Sequence, residues 1–242
     1  MLEDWVGQPE RAALPEDLWE EMEQANLTTV SIPAEYGGAG GTLGTAADIL
    51  RIAARYFAPI PLAETALLAS WALSASQAPV PKGPLTAAPV RTGEFVEVYP
   101  ERDRWRLRGH VHRVPAARAA RRIVIVGQTG QERIVASVDP GMCEIQPGEN
   151  FAGEPRDDVV LDDVRLFEED VVPAGRGVSE EALKTRGALA RAVMMAGALK
   201  SVLELSVRHA RERHQFGRPI GKFQAIHSRN IKTTPMVKGK LR

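Results

Sequence analysis

Two changes of hydrophobic period divide the chain and constrain its architecture more than any other feature. Up to about Pro81, apolar residues recur at helical spacing: Leu18, Met22 and Ala25 form one stripe, and Ile49, Leu50, Ile52 and Ala53 another. From Leu85 to about Val172 the period falls to two. Trp105, Leu107, Gly109 and Val111 alternate there with Arg106, Arg108, His110 and His112, as on a half-buried strand. From Ser179 the helical period returns, with Leu183, Gly187, Ala190, Met194, Gly197, Ser201 and Leu205 stepping by three or four. Helices, then short strands, then helices imply an α+β protein. The expected parts are an N-terminal α-helical domain over 1–84, a middle antiparallel β-domain (sandwich or barrel) over 85–176, and an incomplete, truncated C-terminal helical bundle over 177–242.

Local punctuation refines the map. Pro15 followed by Glu16 and Asp17 opens a helix, since proline suits the first turn and acids suit the positive end of the dipole. Further helices are predicted over Ala46–Phe57 and Leu62–Ala75, separated by Pro59 and Pro61. The glycine-rich stretch Gly37–Gly44 precedes no strand-to-helix phosphate signature and reads as a connector. Strands are expected over Glu94–Tyr99, Ile123–Val126, Arg133–Val138 and Val159–Leu166, with Gly127–Gly130 as a hairpin connection. Ser179 should cap the long helix, whose small-residue face permits close helix–helix approach, and Gly217 with Pro219 should stop it.

Charge and cysteine content narrow the function. Lys and Arg total 31 and Asp and Glu total 31, so no global field draws the chain to nucleic acid or an anionic membrane. Cys143 is the single cysteine, which excludes an internal disulfide, and it reads as a packed thiol. The apolar stretch Thr65–Ser76 is too short to span a bilayer, and the acidic N-terminus is no secretory signal, so the expected compartment is the cytoplasm. His110 and His112 face the same side of their strand. Two histidines without a third ligand nearby do not make a metal site, and none is expected.

Three strings carry a family resemblance: IPAEYGGAG over 32–40, LDDVRL over 161–166 followed by Val172 and Pro173, and RERHQFGRPIGKFQ over 211–224. In this order they resemble the acyl-CoA dehydrogenase family, flavoproteins with an N-terminal helical domain, a middle β-domain and a C-terminal four-helix bundle. The resemblance implies FAD as cofactor and an acyl-CoA thioester as substrate. A carboxylate removes the α-proton while the β-hydrogen leaves as hydride to the flavin. It also implies an oligomer, with electron-transfer flavoprotein as a possible partner. A related acyl-CoA oxidase activity is compatible with the same strings.

Carried over residue by residue, the resemblance is uneven. Arg213 matches the arginine that reaches the FAD pyrophosphate of a neighbouring subunit, a task suited to a bidentate guanidinium. Gln215, Phe216 and Gln224 match positions that contact the adenine end of that cofactor. Without a ligand, the same residues read as a charged helix terminus, a C-cap and a packed Phe. Arg186 matches an arginine beside bound substrate, but Leu183 stands where the family carries an acid, so a helix-surface arginine is the other reading.

Other positions depart from the pattern. No T-E-P-x-x-G-S-like loop occurs between Ala75 and Gly93, and Arg113, Val114 and Pro115 replace the aromatic-Ile-Thr/Ser string that lies against the flavin ring. Thr185 occupies one family position of the catalytic base, and no catalytic residue is assigned. After Ile226 the sequence HSRNIKTTPMVKGKLR lacks an apolar face and reads as a basic tail, or as a truncated or shifted reading frame. These departures suggest a subunit that works beside a sibling supplying the base and flavin pocket, as a homo- or hetero-oligomer. The competing reading is a non-catalytic structural or partner protein of the same fold. An incomplete bundle should also expose apolar surface and favour association.

Overall fold

A computed structural model describes residues 14–88, 90, 94, 96–130 and 132–224. The basic tail after Gln224 and residue 95 of the first expected strand lie outside them. The chain forms two compact units. Among the described residues, one comprises 14–47 with Pro59–Ala190, and the other Asp48–Ala58 with 191–224.

In the larger unit, helix α1 (Glu16–Gln24) follows Pro15, carries Glu16 and Asp17 in its first turn, and buries Trp19. Asn26 follows its C-cap with a left-handed backbone (φ 55°) that lets the Leu27 N–H reach the Met22 carbonyl. The glycine-rich stretch is a connector folded on itself: the amides of Gly40 and Gly41 donate to the carbonyls of Ile32 and Val30 at 2.8 and 2.7 Å. Gly38 is required here, because a Cβ would collide with Ile32.

Helix α2 spans Leu43–Arg55 and starts three residues before the expected Ala46. Thr42 is the reason: its hydroxyl accepts the Thr45 N–H at 3.1 Å and caps the first turn. At the other end, Phe57 has a left-handed backbone, so the helix stops short of the expected boundary. The expected helix over Leu62–Ala75 is two pieces, a π-helical turn over Glu64–Ala69 and α3 over Ser70–Ala75. Leu62, Leu67, Ala69 and Ala72 are all buried, as in a helix enclosed on every side.

The strands are β1 (Leu85–Ala87), β2 (Val96–Glu101), β3 (Arg104–Pro115), β4 (Arg122–Thr129), β5 (Glu132–Val138), β6 (Glu144–Gln146), β7 (Arg156–Phe167) and β8 (Val171–Pro173). They form one eight-stranded sheet in the order β6-β7-β3-β2-β4-β5-β8, with β1 also beside β4. Most pairings are antiparallel, as expected, while β1 and β2 each run parallel to β4. Residues 127–129 belong to β4, since Thr129 pairs with Glu132, so the hairpin turn is tighter than the expected Gly127–Gly130 connection.

β4 is buried on both faces because its core reads Ile123-Val124-Ile125-Val126. Ile123 and Ile125 join a cluster with Leu107, Val111, Val114, Val159, Leu161 and Leu166. Val124 and Val126 join another, with Ala69, Ala72, Leu73, Leu85 and Leu183. Each fully buried Leu or Ile contributes about 1.5–3 kcal/mol, so the sheet and its covering helix hold the larger unit. Thr65 ties them together: its hydroxyl donates to the Leu85 carbonyl and accepts the Leu85 N–H, both at 2.9 Å.

Helix α4 (Glu180–Glu212) begins at Ser179, whose hydroxyl accepts the Ala182 N–H at 3.1 Å. Along the expected small-residue face, Leu183, Ala190 and Gly197 are buried, whereas Leu205 is exposed. In the smaller unit Gly197 packs against the α2 backbone, where a Cβ would strike the Arg51 carbonyl. On another side of α4, Met195, Leu199 and Val202 are exposed at i, i+4 and i+7, an apolar stripe. No described helix is long and apolar enough to cross a membrane.

Candidate functional site

The string 211–224 is not a simple helix stop. After α4 the chain forms a minimal hairpin, β9 (His214–Gln215) against β10 (Arg218–Pro219). Phe216 and Gly217 are its two turn residues, both left-handed at φ 51° and 76°, the conformation of the turn that best fits a two-residue hairpin. The Ile220 N–H donates to the Arg213 carbonyl at 2.8 Å and closes the loop against the helix end.

Arg213, Gln215, Phe216 and Gln224 thus share one hairpin and its continuation, and all four are exposed. The Arg213 guanidinium has no hydrogen-bond or ion-pair partner among the described residues. Arg211, His214, Arg218 and Lys222 surround it in sequence, so the arm is basic. Phe216 is not packed as expected without a ligand. It is 92% exposed, and its ring stands T-shaped to that of Phe223, ring centroids 6.2 Å apart. Arg218 stacks over that Phe223 ring at 4.3 Å.

Arg186 belongs to the other unit and is engaged within it. Its guanidinium lies 4.0 Å over the Trp71 ring and donates to the Leu67 carbonyl at 3.3 Å. Burial lowers its pKa from the ordinary arginine value. A stacked, half-buried arginine of this kind contributes about 0.5–2 kcal/mol to its helix contact. Leu183, in the place of the family acid, is buried in the core, which explains an apolar residue there. The Thr185 hydroxyl donates to the Glu181 carbonyl at 3.0 Å, a helix-internal bond that leaves no base at this position.

The strings matched in the β-domain have structural work of their own. Asp163 accepts the Tyr99 hydroxyl at 2.7 Å and pairs with Arg106 and Arg108. The tyrosine bond first, and then the arginines, hold its carboxyl below the usual range. Arg113 and Pro115 stand at the end of β3 where the family's ring-facing string would lie. Arg113 is exposed with φ 57°, and its N–H donates to Asp158 Oδ1 at 2.8 Å. The Pro115 carbonyl accepts the Thr86 hydroxyl at 2.6 Å. This stretch therefore offers a flavin ring neither an aromatic surface nor a hydroxyl, and its residues do not fit one. The basic hairpin, in contrast, offers an exposed guanidinium, amides and an exposed aromatic ring, which fit the diphosphate and adenine end of a dinucleotide.

Cys143 packs against the core, and burial pushes its thiol up to about 11. At pH 8 only about one thiol in a thousand is then ionised. Iodoacetamide should accordingly label the folded protein far more slowly than the urea-unfolded chain. Equal rates in both states would contradict this environment.

Solved structures share this architecture. The chain aligns over 98% of its length with 71% of a chain in the ChsE4-ChsE5 complex from Mycobacterium tuberculosis (TM-score 0.78, 22% identity). It aligns over 93% of its length with 65% of a glutaryl-CoA dehydrogenase from Mycobacterium smegmatis in complex with FADH2 (TM-score 0.78, 15% identity). N-terminal helices, a middle sheet and a long C-terminal helix define the acyl-CoA dehydrogenase fold. Among curated proteins, the acyl-CoA dehydrogenase IpdE2 of Mycolicibacterium smegmatis is 28% identical over 216 residues, covering 88% of this chain and 60% of the relative.

Family models agree at both ends: the acyl-CoA dehydrogenase N-terminal domain matches residues 2–76 and the C-terminal domain matches 174–234, together more than half of the chain. The chain is a divergent member of the acyl-CoA dehydrogenase family.

Proposed function

We propose that the chain is one subunit of a heteromeric acyl-CoA dehydrogenase, lending a phosphate-binding arm to FAD whose ring and catalytic base are held by a sibling subunit. The observation that carries this reading is the contrast between the two ends of the cofactor. Arg213 is an exposed guanidinium, unpaired among the described residues, at the base of a basic hairpin, with Gln215, Phe216 and Gln224 beside it. Arg113 and Pro115 offer the ring nothing.

Each residue has a definite part. Arg213 binds the diphosphate in two places, Phe216 gives the adenine a face, and Gln215 and Gln224 supply amide donors and acceptors. Bound flavin supplies hydride acceptance in this family, and the acyl-CoA substrate meets it in the sibling's pocket. Arg186 keeps its helix in place and orients that part of the shared surface. Electron-transfer flavoprotein is the expected acceptor of the electrons. The exposed stripe of Met195, Leu199 and Val202 supports association, since an apolar helix face of this kind invites a covering partner. The ChsE4-ChsE5 structure is a complex of two named components, which supports a heteromeric reading.

The test is co-expression with a sibling chain from the same host. The isolated chain should be colourless and the assembled complex yellow and bleached by acyl-CoA. Arg213→Leu should reduce flavin occupancy of the complex at least tenfold, from the loss of about 1.5–3 kcal/mol of charge-assisted bonding. Its melting temperature should not move, because the side chain has no partner to lose among the described residues. Unchanged occupancy would leave the chain a structural member of the fold.

A further inference from the structure

We infer that His110, His112 and Asp158 form a binding site for a divalent transition-metal ion of the zinc class on the outer face of the β3–β7 ladder. The pairing of His110 with Val160 and of Val111 with Val159 places both histidines on the face opposite the core. A β-bulge then separates Val111 from Val114. Arg113 turns left-handed at the bulge and its N–H holds Asp158 Oδ1. Asp158 lies two residues from Val160, so the pleat puts it on the same face as the histidines. The two imidazole rings are 4.0 Å apart, and the ligand atoms of all three side chains lie within 4.8 Å of one another. Small side-chain rotations bring them to the about 3.4 Å separation of ligands on a tetrahedral ion with bonds of about 2.0–2.2 Å.

Two independent features point to an ion. His110 Nε2 is buried and finds no hydrogen-bond partner among the described residues, an unfavourable condition for a polar atom without a ligand. His112 Nδ1 lies 2.9 Å from the Glu94 carboxylate, which leaves Nε2 as the ring's metal-binding nitrogen. A carboxylate behind a ligating imidazole is the usual support of a metal-bound histidine, raising its basicity. Two imidazoles and one carboxylate suit Zn²⁺, with water in the fourth position, and do not suit Mg²⁺ or Ca²⁺, which take oxygen ligands. The site depends on no flavin contact and stands whether or not the shared-cofactor reading holds.

The experiment is calorimetric titration of the chelator-treated full chain with Zn²⁺, repeated with Mg²⁺, and a Co²⁺ titration followed by visible absorption. One high-affinity Zn²⁺ site, no Mg²⁺ heat and a visible Co²⁺ band are expected. His110→Ala and Asp158→Asn should each weaken Zn²⁺ binding at least a hundredfold, and Glu94→Gln about tenfold. Melting curves without metal show whether any variant has lost its fold, and Asp158→Asn, nearly isosteric, serves if His110→Ala has. His209 and His214 are exposed and able to capture zinc weakly, so the double variant His209→Ala/His214→Ala must retain the high-affinity site. Binding that survives His110→Ala and Asp158→Asn, or that vanishes in His209→Ala/His214→Ala, overturns the assignment.

Discussion

Asp157→Ala should lower the melting temperature by about 8–15 °C, corresponding to roughly 3–5 kcal/mol in a chain of this size. Asp157 is fully buried where β7 meets the loops at Gly148 and Arg118. Its carboxylate accepts the Gly148 N–H at 3.2 Å and the Arg118 N–H at 3.1 Å, and it pairs with the Arg118 guanidinium at 3.0 Å. Alanine would leave two backbone donors without acceptors and take away the Arg118 guanidinium's charge partner, leaving it the Gly148 carbonyl at 3.0 Å. Asp157→Asn keeps the shape and one acceptor and should lose less. Arg118→Ala should fall between, since the carboxylate keeps both amides. Thermal unfolding of the three variants checks the order, and an alanine loss under about 1 kcal/mol would refute it.

Gly197→Val should be nearly as damaging, by about 3 kcal/mol or more, for a different reason. A Cβ at this position would meet the Arg51 carbonyl and, at 3.1 Å, the Arg55 amide nitrogen, so backbone rather than a movable side chain stands in the way. Overpacking of this kind costs about 1–3 kcal/mol, and valine sets two further methyl groups beyond the clashing Cβ. Alanine is the weaker test, because replacing glycine inside a helix returns about 1 kcal/mol and masks part of the clash. Gly187 on the same helix is the control: a Cβ there has nothing within 4 Å, so Gly187→Ala should stabilise by about 0.5–1 kcal/mol. Opposite signs at two glycines of one helix, read by denaturant unfolding, would separate packing from propensity. Equal signs would remove the close approach to α2 as the explanation. The exposed Arg55–Glu204 pair nearby, at 2.6 Å, is worth less than either effect.

Periodicity made the order of helices, sheet and long helix legible, because each segment's apolar spacing matches the face it buries. Boundaries failed where a single side chain decided them. Thr42 caps α2 ahead of the apolar stripe, and the π-helical turn before α3 shows no break in hydrophobicity. The string 211–224 was legible as a family match, but its hairpin was hidden because Phe216 gives no hint of a left-handed turn. Asp158 was invisible for a deeper reason. It is remote in sequence from His110 and His112, and only the register of β3 on β7, broken by a bulge, brings the three together. A count of ligands along the chain could not reveal it, whereas alternation had already placed the two histidines on one face.

The pleat of β3 separates what the strand must keep from what it is free to lose. Val111 and Val114 are wholly enclosed, while His112 and Arg113 between them point away from the hydrophobic cluster. Substitutions on the outer rows can therefore accumulate without eroding the hydrophobic interior. Such a strand can drift from one chemistry to another while its scaffold stays standing, which is how a chain could shed its hold on one ligand and still remain a folded member of its lineage.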